Sequence, residues 1–226
     1  MNHMRSHLVV SSTFVAVFLA ALVPCAKFAR AEMRTADSPD GFTRAVGAAQ
    51  PGDEIVIPNG RYSNWNVVLN CSGTEEQPII VRAEDAHEVV FTEKASFRIT
   101  GKHIVIRGLA FQDLDLETSP IRLANAQSCR VTECRFTGLQ GSAAVVHFEG
   151  PAAHNRVDHC KFMQIKTRSV QLRIREDSLK EGPPLSNRID HNLFQDVPRK
   201  GSNGRETIQI GSDQKAYGHI EPKTLV

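Results

Sequence analysis

The sequence predicts an all-β solenoid, a right-handed parallel β-helix with a short capping helix at its front, on three observations. One apolar pattern returns four times, anchored on Phe111, Phe136, Phe162 and Phe194. Anchors that recur at this spacing mark units that bury their apolar faces only against their neighbours. Each anchor carries the same flanks: Ile106, Val131, Val157 and Ile189 stand at one fixed offset before it, and Leu114, Leu139, Ile165 and Val197 at another after it. The apolar runs are short and β-branched, as in Ile104-Val105-Ile106 and Ile79-Ile80-Val81, and Gly101, Gly108, Gly138, Gly141 and Gly150 punctuate them. That is strand and turn chemistry, without the periodicity of helical repeats.

The chain of 226 residues opens like a secretory signal over residues 1–31. Arg5 gives a basic start, Leu8 to Val23 is nearly all apolar, and Ala29-Arg30-Ala31 is a small-x-small cleavage site. That apolar run is short for a membrane span, which takes about 20 residues. Cleavage after Ala31 and export, to a secreted or periplasmic location, is the expectation, with lipid anchoring at Cys25 or an uncleaved segment as the alternatives. No membrane span is expected in the mature chain.

Residues 32–226 then form one β-helix portion. Asp40 to Ala49 begins like a short amphipathic helix with an acidic N-cap nearby, placed to cover the open end of the first coil. Glu54 to Ile57 reads as a strand and Pro58-Asn59-Gly60 as a turn; residues 67 to 100 supply a first coil or two. At one further fixed offset before the anchors stand Ile104, Cys129, Asn155 and Asn187, so the two amides are expected to stack inward as a ladder that satisfies corner backbone groups. The polar segment Glu176 to Ser186, with Pro183-Pro184, explains the longest interval between anchors as a loop insertion. The sequence closes on Lys223-Thr224-Leu225-Val226, the apolar start of another strand, and the expectation is a longer solenoid truncated there.

The net charge is +2, and it falls to −1 once Arg5, Lys27 and Arg30 leave with the signal. A near-neutral mature chain argues against a non-specific nucleic-acid binder. Four cysteines remain, Cys71, Cys129, Cys134 and Cys160, with no CxxC and no zinc-ligand spacing. Cys134 and Cys160 share one inward position in successive coils; stacked free thiols and a bridge between neighbouring strands are both open. Asp158-His159 and Asp190-His191 also recur at one corner, which points to a structural repeat rather than an acid–base pair.

One segment places polar groups on a strand without a packing reason: Asn203-Gly204-Arg205-Glu206-Thr207-Ile208-Gln209-Ile210-Gly211. A strand over Thr207 to Gly211 turns Ile208 and Ile210 inward, and Glu206, just before it, is expected outward beside Asn203 at the turn. An amide oxygen and a carboxylate are hard ligands suited to calcium, although Asn-Gly is also a common tight turn. Arg173 and Arg175, two apart on one strand face, could take the carboxylates of a bound polymer.

At these residues the chain resembles polysaccharide lyase family 6, the family of alginate lyases and chondroitinase B. Asn187-Arg188-Ile189-Asp190-His191-Asn192-Leu193-Phe194 is similar to the family's preceding coil. The likeness extends from about residue 35 to 226. The resemblance implies cleavage of a uronic-acid polymer by β-elimination: a base removes the proton at carbon 5 and the 4-linked oxygen departs. It implies calcium as the cofactor and Asn203 as a calcium ligand; Glu206, Arg173 and Arg175 are the candidate substrate contacts by their own placement. Gln209 stands where the family frequently has Arg. A Glu-x-Glu pair, a Lys base and an Arg are expected beyond Val226, so no catalytic residue is assigned within the chain, which alone is expected to be inactive or nearly so. The expected partner is an acidic polysaccharide, alginate foremost, or chondroitin or dermatan. The rivals are a non-catalytic polysaccharide-binding or cell-surface β-helix, and a different β-helix enzyme such as a pectate lyase or uronate epimerase.

Overall fold

A computed structural model describes residues 31–173, 186–198 and 206–211, together with the backbone of 224–225; of Arg173 only the backbone is described. Its strands pair in parallel and in sequence-distant order, so that the chain winds through three walls on every turn. Wall one is an eight-stranded sheet whose regular rungs are Glu54–Ile57, Ile79–Ala83, Ile104–Arg107, Arg130–Thr132, Arg156–Asp158 and Asn187–Asp190. Wall two carries Gly60–Tyr62, Val89–Phe91, Ala110–Gln112, Arg135–Thr137, Lys161–Met163 and Leu193–Gln195, and wall three Trp65–Leu69, Ala95–Ile99, Ile121–Ala124, Val146–Glu149, Val170–Arg173 and Ile208–Gly211. This is the expected parallel β-helix, with three strands per coil.

The repeat read from the sequence is the register of the stack. Phe111, Phe136, Phe162 and Phe194 are cross-strand partners in wall two, and Phe91 extends the column by one earlier coil. Their rings stack at 4.9 to 5.2 Å with interplanar angles of 12° to 26°, close to the strand spacing of about 4.8 Å. Offset stacking at that separation adds to the burial of each ring. In wall one, Ile55, Val81, Ile106, Val131, Val157 and Ile189 form the matching aliphatic column.

The amide ladder is present. Asn155 Nδ2 donates to Asn187 Oδ1 at 3.0 Å and Asn155 Oδ1 accepts from the Cys129 N–H at 2.9 Å. Asn155 Nδ2 also donates to the Ala126 carbonyl, and Asn187 Nδ2 to the Ala152 carbonyl, each at 2.9 Å. Both amides are about 1% exposed, so their capacity is used on corner groups that water does not reach. Sharp corners need left-handed residues, and Gly108, Glu133, His159 and His191 hold φ between 53° and 73° after successive wall-one strands. Gly101 answers to a different demand: a Cβ there would lie 1.7 Å from the Cys71 carbonyl oxygen.

The capping helix spans Pro39–Ala48. Its N-cap is Ser38, whose hydroxyl accepts from the Gly41 N–H at 3.3 Å, and the acidic Asp40 lies within the first turn, so the acidic cap expected from sequence is corrected to a serine. Phe42, Ala45 and Val46 are buried, and Phe42 meets Trp65 and Phe97 edge-on at 6.1 and 5.8 Å. The helix therefore closes the apolar end of the first coil. Cys71, Cys129, Cys134 and Cys160 are free thiols; burial, with Cys134 alongside, pushes the Cys160 thiol well up. No helix among the described residues is long and apolar enough to cross a membrane. The loop expected over Glu176 to Ser186 lies, apart from Ser186, outside the described residues.

Candidate functional site

The motif singled out in the sequence runs into wall three. Ile208–Gly211 pairs in parallel with Val170–Arg173, placing Gln209 beside Gln171 and Gly211 beside Arg173. Ile208 packs against the core, as expected, and Glu206 is exposed. Ile210 shares the inward row of the buried Leu172 yet is 39% exposed, because no described strand follows it in that wall. Asn203 and Arg175 lie outside the described residues, and so do Arg199, Lys200 and Arg205. Of Arg173 the structure gives a backbone position on the outermost described pair of strands, and no side-chain contact.

From Gln209 an outward row continues across the wall, one residue per coil: Gln171, His147, Arg122, Arg98 and Val68. Gln171 Nε2 donates to Gln209 Oε1 at 2.6 Å. Arg122 forms a fork to Glu149, Nε to Oε1 at 2.8 Å and Nη2 to Oε2 at 2.9 Å, and His147 Nδ1 lies 3.3 Å from the same Oε1. Burial alone would raise the Glu149 pKa, but hydrogen bonds and charge from His147 and Arg122 outweigh it and bring the carboxyl down to about 2. Glu149 is thus a fixed anion that sets the pose of a guanidinium and an imidazole on the outer face. Sequence reasoning missed this trio. Its signal is the outward position of wall-three strands, and that signal is weak because only the two coils carrying the trio share an interval from wall two, which the later coils do not keep. Ile121 follows Phe111 and Val146 follows Phe136 at one interval, whereas Val170 comes sooner after Phe162 and Ile208 later after Phe194.

Wall one is built from the same residue types to a different end. Arg130 grips Asp158 with Nε and Nη2 at 2.8 and 2.6 Å, and Arg156 grips Asp190 at 2.8 and 2.7 Å. His159 and His191 bond the same two carboxylates through Nδ1 at 3.0 and 2.7 Å, and their rings stack at 5.3 Å. The Asp158 carboxyl is fully buried and held below its ordinary pKa: burial opposes this, but Arg130 and His159 prevail. At Asp190 the bond from Arg156 is the first cause, and the shift is again downward. The recurring Asp-His corners are inter-coil clamps, as the sequence suggested.

Calcium chemistry would draw on Asn203, outside the described residues. Among the described residues no group of three or more His, Cys, Asp or Glu converges as a cation cage, and Glu149 is engaged by Arg122 and His147. Glu206 is the exposed carboxylate nearest the motif in sequence.

The family profile described as Chondroitinase B matches residues 37–222. The chain belongs to the chondroitinase B family. Among solved structures, a PL6 family alginate lyase superposes with a TM-score of 0.73 at 28% identity, over 86% of this chain and 28% of that one. A mannuronic acid specific family 6 lyase from human gut microbiota superposes at 0.70 and 25% identity, over 85% of this chain and 46% of that one. The family 6 lyase from Pseudopedobacter saltans, at 20% identity and a TM-score of 0.62, shares the fold. This family member therefore spans less than half the length of each of these three lyases. Compared by sequence with curated proteins, it matches none.

Proposed function

We propose that this chain forms the front coils of an exported, calcium-assisted lyase that cleaves uronic-acid polymers by β-elimination, with alginate as the foremost substrate. The observation that carries the reading is the family match over residues 37–222, joined to two family 6 lyases of like fold at 25% identity or above. The geometry agrees in kind. Wall three sets Arg98, Arg122, His147 and Gln209 in one outward row, with the buried Gln171 bonded to Gln209, and the row leads to the strand that follows Asn203 and Glu206. The proton at carbon 5 of a uronate is weakly acidic, because the neighbouring carboxylate resists a second negative charge. A calcium ion held by Asn203 would neutralise that carboxylate.

The described residues take on binding and orientation. Arg122 and His147, fixed by Glu149, present positive and polar edges to sugar carboxylates and hydroxyls. Glu206, with Arg173 and Arg175, would contact sugar nearer the motif. The base and acid of the elimination are assigned to coils outside these 226 residues. Export rests on the signal-like residues 1–31.

Incubating the chain with alginate and calcium, and following both retention on alginate and absorbance of unsaturated uronate ends, tests the reading. Binding without product is expected of this chain alone. Robust product would overturn the placement of base and acid elsewhere, and failure to bind any polyuronate would overturn the substrate class.

A further inference from the structure

Arginines stack in register at three places on the outer surface of this solenoid, and the carboxylates around them differ. Arg82 and Arg107 are cross-strand neighbours in wall one; Arg82 pairs with Glu54 at 2.8 Å and Arg107 with Glu133 at 2.9 Å. Arg130, Arg156 and Arg188 follow one another up the same wall, each within 3.0 Å of Asp158 or Asp190. Like charges directly opposite on adjacent strands repel, and in both stacks every guanidinium has a carboxylate of its own chain. The third stack is Arg98 beside Arg122 in wall three. Arg122 has Glu149, but partly buried Arg98 has no carboxylate partner among the described residues. Its outward neighbour on the other side is Val68, a residue 45% exposed.

We infer that Arg98 is a carboxylate-binding subsite at the far end of the wall-three row, where a uronate of the bound polymer supplies the missing negative charge. The inference rests on the proposed polyuronate reading and deepens it by fixing the direction and length of the track. Arg98 lies four rungs from Gln209, through Arg122, His147 and Gln171, which is about 19 Å at the strand spacing. A pyranose unit in an extended chain is of similar length to one rung, so successive sugars can keep step with successive coils. A guanidinium fork takes a carboxylate in two parallel hydrogen bonds, and no other charged side chain on the described row is without a partner to do so. A neutral glycan would leave the excess charge uncompensated and is not the ligand.

The test is calorimetric titration of the full chain with oligouronates of two to eight sugars, comparing wild type with Arg98→Gln, Arg98→Lys and Arg107→Gln. Arg107→Gln removes the same charge from the opposite wall and serves as the control. For wild type, affinity is expected to climb with length until the oligomer spans the row. Arg98→Gln is expected to lose about tenfold for the long oligomers and nothing for the shortest, with Arg98→Lys between the two and Arg107→Gln unchanged. Equal affinity of wild type and Arg98→Gln for long oligomers, with thermal unfolding unaltered, overturns the subsite and leaves the polyuronate reading standing. Equal losses in Arg98→Gln and Arg107→Gln reduce the effect to net charge and also overturn it. If wild type binds no oligouronate at any length, the functional reading fails and the subsite with it.

Discussion

Walls one and three of the same coils use arginine, histidine and carboxylate in contrasting ways. On wall one Asp158 and Asp190 are each shared between guanidinium groups of adjacent coils, and Asp158 is wholly buried beneath them. The charges close on one another and tie rung to rung. On wall three the single carboxylate of the trio, Glu149, holds Arg122 and His147 in place, while Arg98 has no carboxylate partner among the described residues. Connections differ as well: the wall-one to wall-two corner keeps a constant length through the four repeats, whereas the approach to wall three varies from coil to coil. Repetition belongs to the surface that stabilises the stack, and irregularity to the surface proposed to carry recognition.

Perturbing the shared core should affect both walls, and most strongly. Phe136→Ala removes a ring stacked between Phe111 and Phe162 and is expected to lower unfolding free energy by about 3–5 kcal/mol in urea titration. Asn155→Ala leaves the Cys129 N–H and the Ala126 carbonyl without their partner in a buried corner, an expected loss of about 2–3 kcal/mol. Both should reduce polyuronate binding only through unfolding, so binding measured well below the transition should persist.

Acid sharpens the contrast between the walls. Asp158 and Asp190 on wall one and Glu149 on wall three are all held below their ordinary pKa values. A lowered carboxylate stabilises the folded state above its unfolded pKa, and that contribution fades as pH falls through the lowered value. For Glu149 the window runs from 4.5 down to about 2. Thermal midpoints are therefore expected to be flat near neutrality and to fall below about pH 4.5. Glu149→Gln should flatten that decline visibly, and Asp158→Asn less so, since the Glu149 carboxyl is lowered further and Asp190 remains on wall one. A decline unaffected by either substitution would contradict the clamps.

The smallest stability effect is expected at Arg122. Arg122→Gln breaks a largely buried, two-bonded pair and should cost about 1–2 kcal/mol of stability, yet lower polyuronate affinity several-fold, because it both removes a positive edge and exposes Glu149 to the polymer. Arg130→Gln on wall one should do the reverse, destabilising without weakening binding.

The two walls also differ in how far they can be read from the sequence. The anchor phenylalanines, the aliphatic column and the asparagine ladder repeat at fixed offsets because one corner of constant length joins walls one and two, and a fixed offset is visible in a one-dimensional string. Phe91 falls outside the pattern because the coil from it to Phe111 is shorter than those that follow. Ser38 is hidden as the helix cap since Asp40, just beyond it, offers the same chemistry. The Arg122–Glu149–His147 trio lies on two coils that share one offset from their anchors, but the coils on either side do not keep it, so the offset never recurs often enough to be read. The motif at Asn203 is legible by its composition, while the described part of the site begins only at Glu206.

An acidic polysaccharide lying along wall three would shield the strands of that wall and leave the opposite wall open to water. Amide hydrogen exchange on the full chain, with and without a long oligouronate, reads this without any substitution. Added protection over 121–124, 146–149 and 170–171, with wall one over 130–132 and 156–158 unchanged, is the expected result. Protection centred on wall one, or spread evenly over every coil, would contradict it.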